Sequence, residues 1–309
     1  MAILFHCPWD NADEWLGALR AALPDDEFRI WPDIGPVEDI DFAMVWKLPH
    51  GNLADLPNLL AVASLGAGVD ALLADPDLPR HIPITRLVDP LMVDRMAEYV
   101  TATVLHHHLG LDRYDQQQDA VHWQRHPTTD AGDRTVALLG LGQMGRRCAQ
   151  HLGALGFKLR GWSRSPKTVD GVMCDHGEDG LKETLKMAEI AVLLLPLTAR
   201  TTNLMDRSAF AAMPRGSYLI NCSRGEVVVD GDLLAALDSG HLAGATLDAF
   251  REEPPRQDDP YWRHPKVRLT PHIAALSSSA SAALILAEQV RRAREGRPLR
   301  DVVDIGAGY

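Results

Sequence analysis

An apolar segment, a glycine-rich turn and a helical segment follow one another near the middle of this 309-residue chain. The apolar run Thr135–Leu139 predicts a buried strand, Gly140–Gly145 matches the pattern G-x-G-x-x-G, and a helical pattern continues to Leu155. Such glycines allow a tight turn and close approach of a pyrophosphate, and the helix N-terminus offers N–H groups to an anion. This order therefore predicts a dinucleotide-binding site, whose contacts here are Gly140, Gly142, Gln143, Met144 and Gly145.

The segment after the next predicted strand, Lys158–Trp162, bears on which dinucleotide binds. Proteins that bind NAD usually carry Asp or Glu about 20 residues beyond the first strand, where it hydrogen-bonds the ribose 2′-hydroxyl. No carboxylate lies there in this chain, and Ser163, Arg164 and Lys167 offer a hydroxyl and two cations. Such groups suit a 2′-phosphate, so the sequence favours NADPH/NADP over NAD. A basic surface turn without a ligand is the alternative interpretation.

Strand-like and helical segments alternate along the whole chain, which predicts an α/β fold with parallel sheets. One series fills the first third of the chain, a second begins at Thr135, and a last helical pattern, Ser277–Glu295, returns to the first series. We therefore predict two α/β domains with a cleft between them. Residues 1–94 plus 277–309 would form the substrate domain, and residues 95–276 the dinucleotide-binding domain.

The element boundaries follow from hydrophobic periodicity and from turn residues. The predicted strands are Ala2–Phe5, Ala43–Trp46, Leu60–Ser64, Thr135–Leu139, Lys158–Trp162, Ile190–Leu195, Tyr218–Asn221, Gly244–Leu247 and Val267–Leu269. The predicted helices are Asn11–Leu23, Met92–Arg113, Gln143–Leu155 and Ser277–Glu295.

Composition and charge argue against several other classes of protein. No apolar run approaches the roughly 20 residues of a membrane span, and a net charge of -11 disfavours nucleic acid or an anionic membrane as partner. The four cysteines show neither a disulfide framework nor zinc spacing, which fits a reducing cytoplasm. No metal site is predicted from His106–His108, because consecutive helical residues point about 100° apart and three in a row cannot converge on one ion.

Three polar side chains, Arg224, Glu253 and His272, each follow a different predicted strand in the second half of the chain. Ligands of open parallel sheets lie beyond the carboxyl ends of the strands. There an arginine can bind a carboxylate, a histidine can donate a proton, and a neighbouring carboxylate can fix the tautomer of the histidine. Reduction of a 2-oxo acid needs such groups beside a hydride donor. Taken singly, each residue also fits a surface or structural role, so spacing alone leaves the question open.

Taken together, the motifs resemble the D-isomer-specific 2-hydroxyacid dehydrogenase family over nearly the whole chain. The matching segments are Ser64–Asp70, Gly140–Gly145, Leu195–Thr198 with Thr201, Asn221–Gly225, Asp248–Phe250 with Glu253-Pro254, and Thr270–Ala274. The resemblance implies that Arg224 binds the substrate, that Glu253 pairs with His272, and that His272 is the acid/base.

The same resemblance implies two Rossmann-like domains, the first of them flavodoxin-like, further contacts and a homodimer. The backbone N–H groups of Ala67 and Gly68 would bind the substrate carboxylate, and Asp248 would face the nicotinamide carboxamide. The remaining positions implied along the cofactor are Pro196, Leu197, Thr201, Cys222 and Ser223.

Several shorter features resemble one branch of the family, the glyoxylate and hydroxypyruvate reductases. They are Val45-Trp46, Arg86-Leu87, Met96–Tyr99, His122-Trp123, Trp162–Arg164 and Gly308-Tyr309. We therefore expect a cytoplasmic, NADPH-preferring reductase of small 2-oxo acids, in which Trp46 either shapes the substrate pocket or belongs to a core or interface. Two alternatives stay open: an NADP(H)-sensing interaction protein of the same fold, and an NAD-linked dehydrogenase for a larger 2-hydroxy acid.

Overall fold

The computed structural model describes residues 1–9 and 11–309 and divides into two compact units. Unit 1 comprises Met1–Met92 and Ser277–Tyr309, and unit 2 comprises Val93–Leu276. Unit 1 contains a five-stranded sheet and unit 2 a seven-stranded sheet. Two α/β units with parallel sheets confirm the predicted fold class.

The secondary-structure elements alternate between strands and helices along most of the chain. The strands are β1 (Ala2–His6), β2 (Glu27–Ile30), β3 (Ile40–Val45), β4 (Ala61–Ser64), β5 (Ile84–Thr85), β6 (Thr135–Leu139), β7 (Lys158–Ser163), β8 (Val172–His176), β9 (Ile190–Leu193), β10 (Ser217–Asn221), β11 (Leu242–Leu247) and β12 (Val267–Leu269). The helices are α1 (Ala12–Ala22), α2 (Asp70–Leu73), α3 (Pro90–His108), α4 (Leu111–Asp119), α5 (Gln143–Ala154), α6 (Gly177–Lys186), α7 (Arg207–Ala212), α8 (Asp230–Asp238) and α9 (Ser279–Arg294).

The sheet of unit 1 has the strand order β2-β1-β3-β4-β5, and every neighbouring pair is parallel. This is the flavodoxin-like order. Helix α9 packs against α1, and its Arg294 forms ion pairs with Asp26 at 2.5 Å and Asp41 at 2.6 Å. These contacts make the C-terminal helix part of unit 1.

The sheet of unit 2 has the strand order β12-β11-β10-β9-β6-β7-β8, again with parallel pairs throughout. Parallel strands place all their carboxyl ends at one edge of the sheet. The glycine turn follows β6. On one side of it, Ser163 ends β7 and Arg164 comes next; on the other side, Arg224, Glu253 and His272 follow β10, β11 and β12. The topology therefore brings all these candidates to the same edge.

Sequence periodicity missed some elements and misplaced others. The strands β2 and β8 form outer edges of their sheets and carry polar residues, while β5 has only two residues, so none shows a long apolar run. The predicted helix Met92–Arg113 is wrong as one element. Helix α3 ends at His108 and α4 begins at Leu111, because Gly110 adopts a left-handed backbone with φ of 64° that ends the first helix.

The structure bears on two expectations drawn from composition, which concern membrane-spanning helices and the cysteines. Across residues 1–9 and 11–309, no helix is both long and apolar enough to cross a membrane. Cys7, Cys148, Cys174 and Cys222 are all free thiols. Elements within each unit are therefore held by packing, hydrogen bonds and ion pairs.

Candidate active site

The glycine turn forms a close-fitting bend between β6 and α5. Gly140 has φ of 114°, a conformation that favours glycine, and a Cβ on Gly145 would lie 1.9 Å from the Gly140 carbonyl oxygen. Gly142 caps α5 without a side-chain hydrogen bond, so N–H groups of the first turn remain for an anion. Gln143 is exposed and Met144 packs partly against the core. The turn fits a pyrophosphate group.

The end of β7 carries hydroxyl and cationic groups. Ser163 is buried and its hydroxyl donates to the Ser165 carbonyl oxygen at 2.8 Å, while Arg164 is exposed. The nearest carboxylate on the adjacent strand, Asp175, lies 2.6 Å from the guanidinium of Arg160. This edge of the sheet therefore presents cationic and hydroxyl groups, and its neighbouring carboxylate is neutralised.

Two further cations connect this segment to the glycine turn. Lys167 Nζ donates to the Leu141 carbonyl oxygen at 3.3 Å, which places an ammonium group beside the turn. Arg146 Nη1, in the first turn of α5, donates to the Thr168 carbonyl oxygen at 3.4 Å. Sequence reasoning singled out Lys167 and missed Arg146, whose only signal was its position one residue beyond the glycine motif.

The loop after β9 is organised by one hydroxyl group. Thr201 Oγ1 donates to the Pro196 carbonyl oxygen at 2.7 Å and accepts from the Thr198 N–H at 2.8 Å. Pro196 is exposed, and Leu197 packs partly against the core. Thr201 thus fixes the shape of this loop, and the contacts of Pro196, Leu197 and Thr201 with a cofactor stay predictions.

The turn that presents Arg224 is built by polar side chains at the end of β10. The Ser223 hydroxyl accepts from the Leu195 N–H at 2.8 Å, and Asn221 Nδ2 donates to the Arg224 carbonyl oxygen at 3.0 Å. Arg224 itself is half-buried. Burial raises the pKa of the Cys222 thiol well above its ordinary value, which fits an apolar packing role for this side chain. Sequence reasoning gave Asn221 no role, although an Asn at a strand end often organises a turn.

The Arg224 turn packs directly against the loop that carries Glu253. A Cβ on Gly225 would lie 2.0 Å from the Arg251 nitrogen, so only glycine permits this approach of two backbones. Glu253 Oε1 accepts from the Phe250 N–H at 3.2 Å within the same loop. The carboxylate is therefore fixed close to the turn that follows β10.

Arg251 anchors this loop from the other side. Its Nε lies 3.0 Å from Asp230 Oδ2, and its Nη2 donates to Asn203 Oδ1 and to the Val228 carbonyl oxygen. These partners belong to two other segments of unit 2, one at Asn203 and one at residues 228–230. Sequence reasoning missed Arg251 because its partners are distant along the chain.

His272 and Glu253 form the central pair of the site. His272 Nδ1 lies 2.9 Å from Glu253 Oε1, and both side chains keep some exposure, 40% and 24% respectively. His272 has φ of 54°, a strained conformation for a residue other than glycine and one that is often found at functional sites. Because the bond uses Nδ1, Nε2 is the ring atom left to exchange a proton with a substrate.

Asp248 holds the segment around His272 in place. Its carboxylate oxygens accept from Thr270 Oγ1 at 2.6 Å and from the N–H groups of Ile273 and Ala274, each at 2.9 Å. Burial raises the pKa of Asp248, although these three hydrogen bonds act in the opposite direction. The structure thus gives Asp248 a positioning role, and its predicted contact with a nicotinamide carboxamide stays a prediction.

The substrate residues predicted in unit 1 cluster after β3 and β4. The Trp46 ring lies directly over Gly66, where an added Cβ would be 2.4 Å from Trp46 Cζ3, and it contacts the Trp9 ring at 5.5 Å between centroids. Ala67 and Gly68 follow Gly66 and are half-buried. Trp46 therefore forms an aromatic wall beside this loop within unit 1.

Comparison with known proteins identifies the family. A sequence profile described as "D-isomer specific 2-hydroxyacid dehydrogenase, NAD binding domain" matches residues 101–274. Glyoxylate/hydroxypyruvate reductase A from Photorhabdus laumondii is 39% identical over 314 aligned residues, which cover 100% of each chain. The chain belongs to the D-isomer specific 2-hydroxyacid dehydrogenase family. The resemblance found in the sequence motifs is confirmed.

Solved structures of 2-hydroxyacid dehydrogenases match the whole chain. A family member from Xanthobacter autotrophicus Py2, in complex with NADPH and MES, is 42% identical with a TM-score of 0.94 and covers 100% of this chain and 99% of its own. An NADPH-dependent glyoxylate/hydroxypyruvate reductase from Sinorhizobium meliloti, in complex with NADP and sulfate, is 34% identical with a TM-score of 0.93 and full coverage of both chains.

Proposed function

We propose that this 2-hydroxyacid dehydrogenase is an NADPH-preferring reductase of small 2-oxo acids such as glyoxylate and hydroxypyruvate. The observation that carries the proposal is the 2.9 Å hydrogen bond between His272 Nδ1 and Glu253 Oε1, in a loop packed against the Arg224 turn. Such a set supplies a carboxylate anchor, a proton donor and a group that orients the donor. Relatives similar over the full chain are reductases of glyoxylate and hydroxypyruvate.

The choice of NADPH is supported by the charges around the end of β7. Ser163, Arg164 and Lys167 offer a hydroxyl and two cations where a ribose 2′-phosphate would lie, and Arg146 adds a third cation nearby. Charge-assisted hydrogen bonds to a phosphate are about twice as strong as neutral ones. Two structurally similar family members were solved with NADPH or NADP.

In the proposed reaction, NADPH supplies a hydride to the carbonyl carbon when it is bound. Arg224 holds the substrate carboxylate through two parallel hydrogen bonds. His272 donates a proton from Nε2 to the carbonyl oxygen, so that one hydride and one proton convert the 2-oxo acid to a 2-hydroxy acid. Glu253 accepts a hydrogen bond from the Nδ1–H group, which orients the ring and stabilises the imidazolium form that carries the transferable proton on Nε2.

The test is the initial rate of cofactor oxidation with glyoxylate, hydroxypyruvate, pyruvate and phenylpyruvate, each with NADPH and with NADH. The proposal predicts the highest kcat/KM for glyoxylate and hydroxypyruvate, with NADPH ahead of NADH. Activity limited to phenylpyruvate, or faster with NADH, would overturn the proposed substrate or cofactor. NADPH binding without turnover of any acid would instead favour a sensor.

We also propose that the chain works in the cytoplasm as a homodimer, without nucleic acid or membrane as partner. Val121 and Trp123 are each 94% exposed on one irregular segment after α4, and such apolar exposure is typical of contact surfaces. Light scattering tests the assembly, with Trp123→Ser expected to weaken the dimer. Trp262→Ser, at a tryptophan that is 51% exposed, is the control. A monomeric wild-type protein would contradict the proposal.

A further inference from the structure

Three side chains with metal-binding atoms meet where α3 ends and α4 begins. One ring nitrogen each of His106 and His107 and one carboxylate oxygen of Asp112 all lie within 4.8 Å of one another. The left-handed backbone of Gly110 makes the cluster possible, because it turns the chain between the two helices and brings Asp112 back toward the histidines. None of these residues belongs to the proposed reductase site.

His107 has the surroundings of a metal ligand. It is only 4% exposed, its ring stacks on Tyr218, and its Nε2 lies 2.9 Å from Thr246 Oγ1. Its Nδ1 is buried and has no hydrogen-bond partner among the described residues. Metal-bound histidines usually form a hydrogen bond through the second ring nitrogen to a neighbouring group, which fixes the ring. Thr246 Oγ1 is in position to be that group for His107.

Asp112, the third member of the cluster, also has a buried carboxylate oxygen without a partner in the described part of the chain. Its Oδ1 is buried and, within residues 1–9 and 11–309, accepts no hydrogen bond. A buried polar atom without a partner costs about 1–3 kcal/mol, so two of them within one cluster need an explanation. A cation bound between the imidazole nitrogens and the carboxylate oxygen satisfies both at once.

We propose that His106, His107 and Asp112 bind a divalent first-row transition metal, with Zn²⁺ as the best-suited ion. Two imidazole nitrogens and one carboxylate oxygen are zinc ligands, with bonds of about 2.0–2.2 Å. Tetrahedral ligands lie roughly 3.4 Å apart at that bond length, so ligand atoms that now lie within 4.8 Å of one another must close by up to about 1.4 Å. The partly exposed His106 and Asp112 can make this adjustment, and a water molecule completes the fourth position.

The remaining charges and rings around the cluster are compatible with this site. Arg268 acts electrostatically on His106 and His107, but it is ion-paired with Asp115 at 3.2 Å. His108, the third consecutive histidine, lies apart from the cluster and packs edge-on against Phe157. The metal would join α3 and α4 and, through Thr246, link them to β11, which is a structural role rather than a catalytic one.

The experiment is a Zn²⁺ titration of the untagged, full-length protein after treatment with a chelator, followed by calorimetry and by metal analysis after dialysis. We expect one Zn²⁺ per chain and a higher Tm. The variants Asp112→Asn and His106→Gln change partly exposed side chains and should each weaken binding by about tenfold or more. His108→Gln is the matched control on the same helix and should bind as the wild type does.

Cobalt provides a second readout that does not depend on stability. Co²⁺ should give the absorption spectrum of a tetrahedral site in the wild type and in His108→Gln, and not in Asp112→Asn. Failure to retain one Zn²⁺ per chain would overturn the proposal. So would equal losses in His108→Gln and Asp112→Asn, or a crystal structure grown with Zn²⁺ that shows only water between His107 and Asp112.

Discussion

His272 Nδ1 and Glu253 Oε1 lie 2.9 Å apart, although 19 positions separate the two residues in the chain. They follow β12 and β11, which are neighbours at one end of the sheet of unit 2. Each is held by its own set of hydrogen bonds, from Phe250 to the carboxylate and between Asp248 and the residues around His272. The pair is therefore built by the fold before any substrate binds.

The first prediction concerns His272 as proton donor. His272→Ala should lower kcat with glyoxylate by about 10²–10⁴-fold, the usual contribution of a general acid. NADPH affinity, measured by the fluorescence of the bound cofactor, should stay close to that of the wild type. His264→Ala, at a histidine bonded to Asp238 in another part of unit 2, serves as the control. Near-normal turnover of His272→Ala would show that His272 is not the proton donor.

The second prediction concerns Arg251 as a positioning residue for Glu253. Arg251→Met removes the ion pair with Asp230 and the bonds to Asn203 and Val228, so the loop loosens and kcat should fall by as much as about 10²-fold. The KM for NADPH should change little. The matched control is Arg256→Met, since the Arg256 side chain is exposed and forms an ion pair with nearby Asp258.

A double variant separates positioning from general loss of stability. If Arg251 acts through the carboxylate, adding Arg251→Met to Glu253→Gln should lower kcat far less than it does in the wild type. Fully additive losses in kcat, or a fall in Tm that accounts for the lost activity, would show that Arg251 has only a structural role.

The third prediction concerns the choice of cofactor. Arg164→Asp places a carboxylate where a 2′-phosphate would lie, and should raise the KM for NADPH by roughly 10–100-fold, since hydrogen bonds to charged groups contribute about 1.5–3 kcal/mol. The KM for NADH should change far less. Lys158→Asp makes the same charge change at the other end of β7 and should leave the KM values for NADPH and NADH unchanged. Equal losses with NADPH and NADH would mean that Arg164 does not contact the phosphate.

The fourth prediction uses Gly142 to test where the pyrophosphate lies. A Cβ at Gly142 meets no atom within 4 Å, and its φ of -75° suits alanine, so Gly142→Ala should fold with an unchanged Tm. The added methyl group would occupy the space of a bound pyrophosphate and should weaken NADPH binding by about tenfold or more, which is about 1.4 kcal/mol. Gly153→Ala, farther along α5, should bind NADPH normally. Undiminished NADPH binding by Gly142→Ala would place the pyrophosphate elsewhere.

Much of the fold can be predicted from the sequence because its central strands are buried on both faces. Strands such as β6 and β10 are continuous apolar runs that end in Gly or Asn, which marks both the strand and the turn after it. The edge strands β2 and β8 mix polar and apolar residues and give no such signal. The break at Gly110 is not evident from the sequence, because Leu109 and Leu111 on either side are both apolar and it is the left-handed backbone of the glycine that ends the helix.

The site was predictable where a residue follows a strand, and unpredictable where it acts through distant partners. Arg224, Glu253 and His272 could be placed at one edge of the sheet because each follows a strand of a parallel sheet, whereas the strand order and their mutual distances required the structure. Arg251 gave no signal, because Asn203 lies 48 positions away from it in the chain. Contacts of that kind depend on tertiary packing and not on local pattern.

The most direct test of the proposed reaction is its stoichiometry with purified protein, NADPH and glyoxylate. Glycolate formed and NADPH consumed should be equal in moles throughout the reaction, and both should fall together in His272→Ala. NADPH consumption without glycolate formation, or neither consumption of NADPH nor formation of glycolate at substrate saturation, would contradict a reductase that uses His272 to protonate a 2-oxo acid.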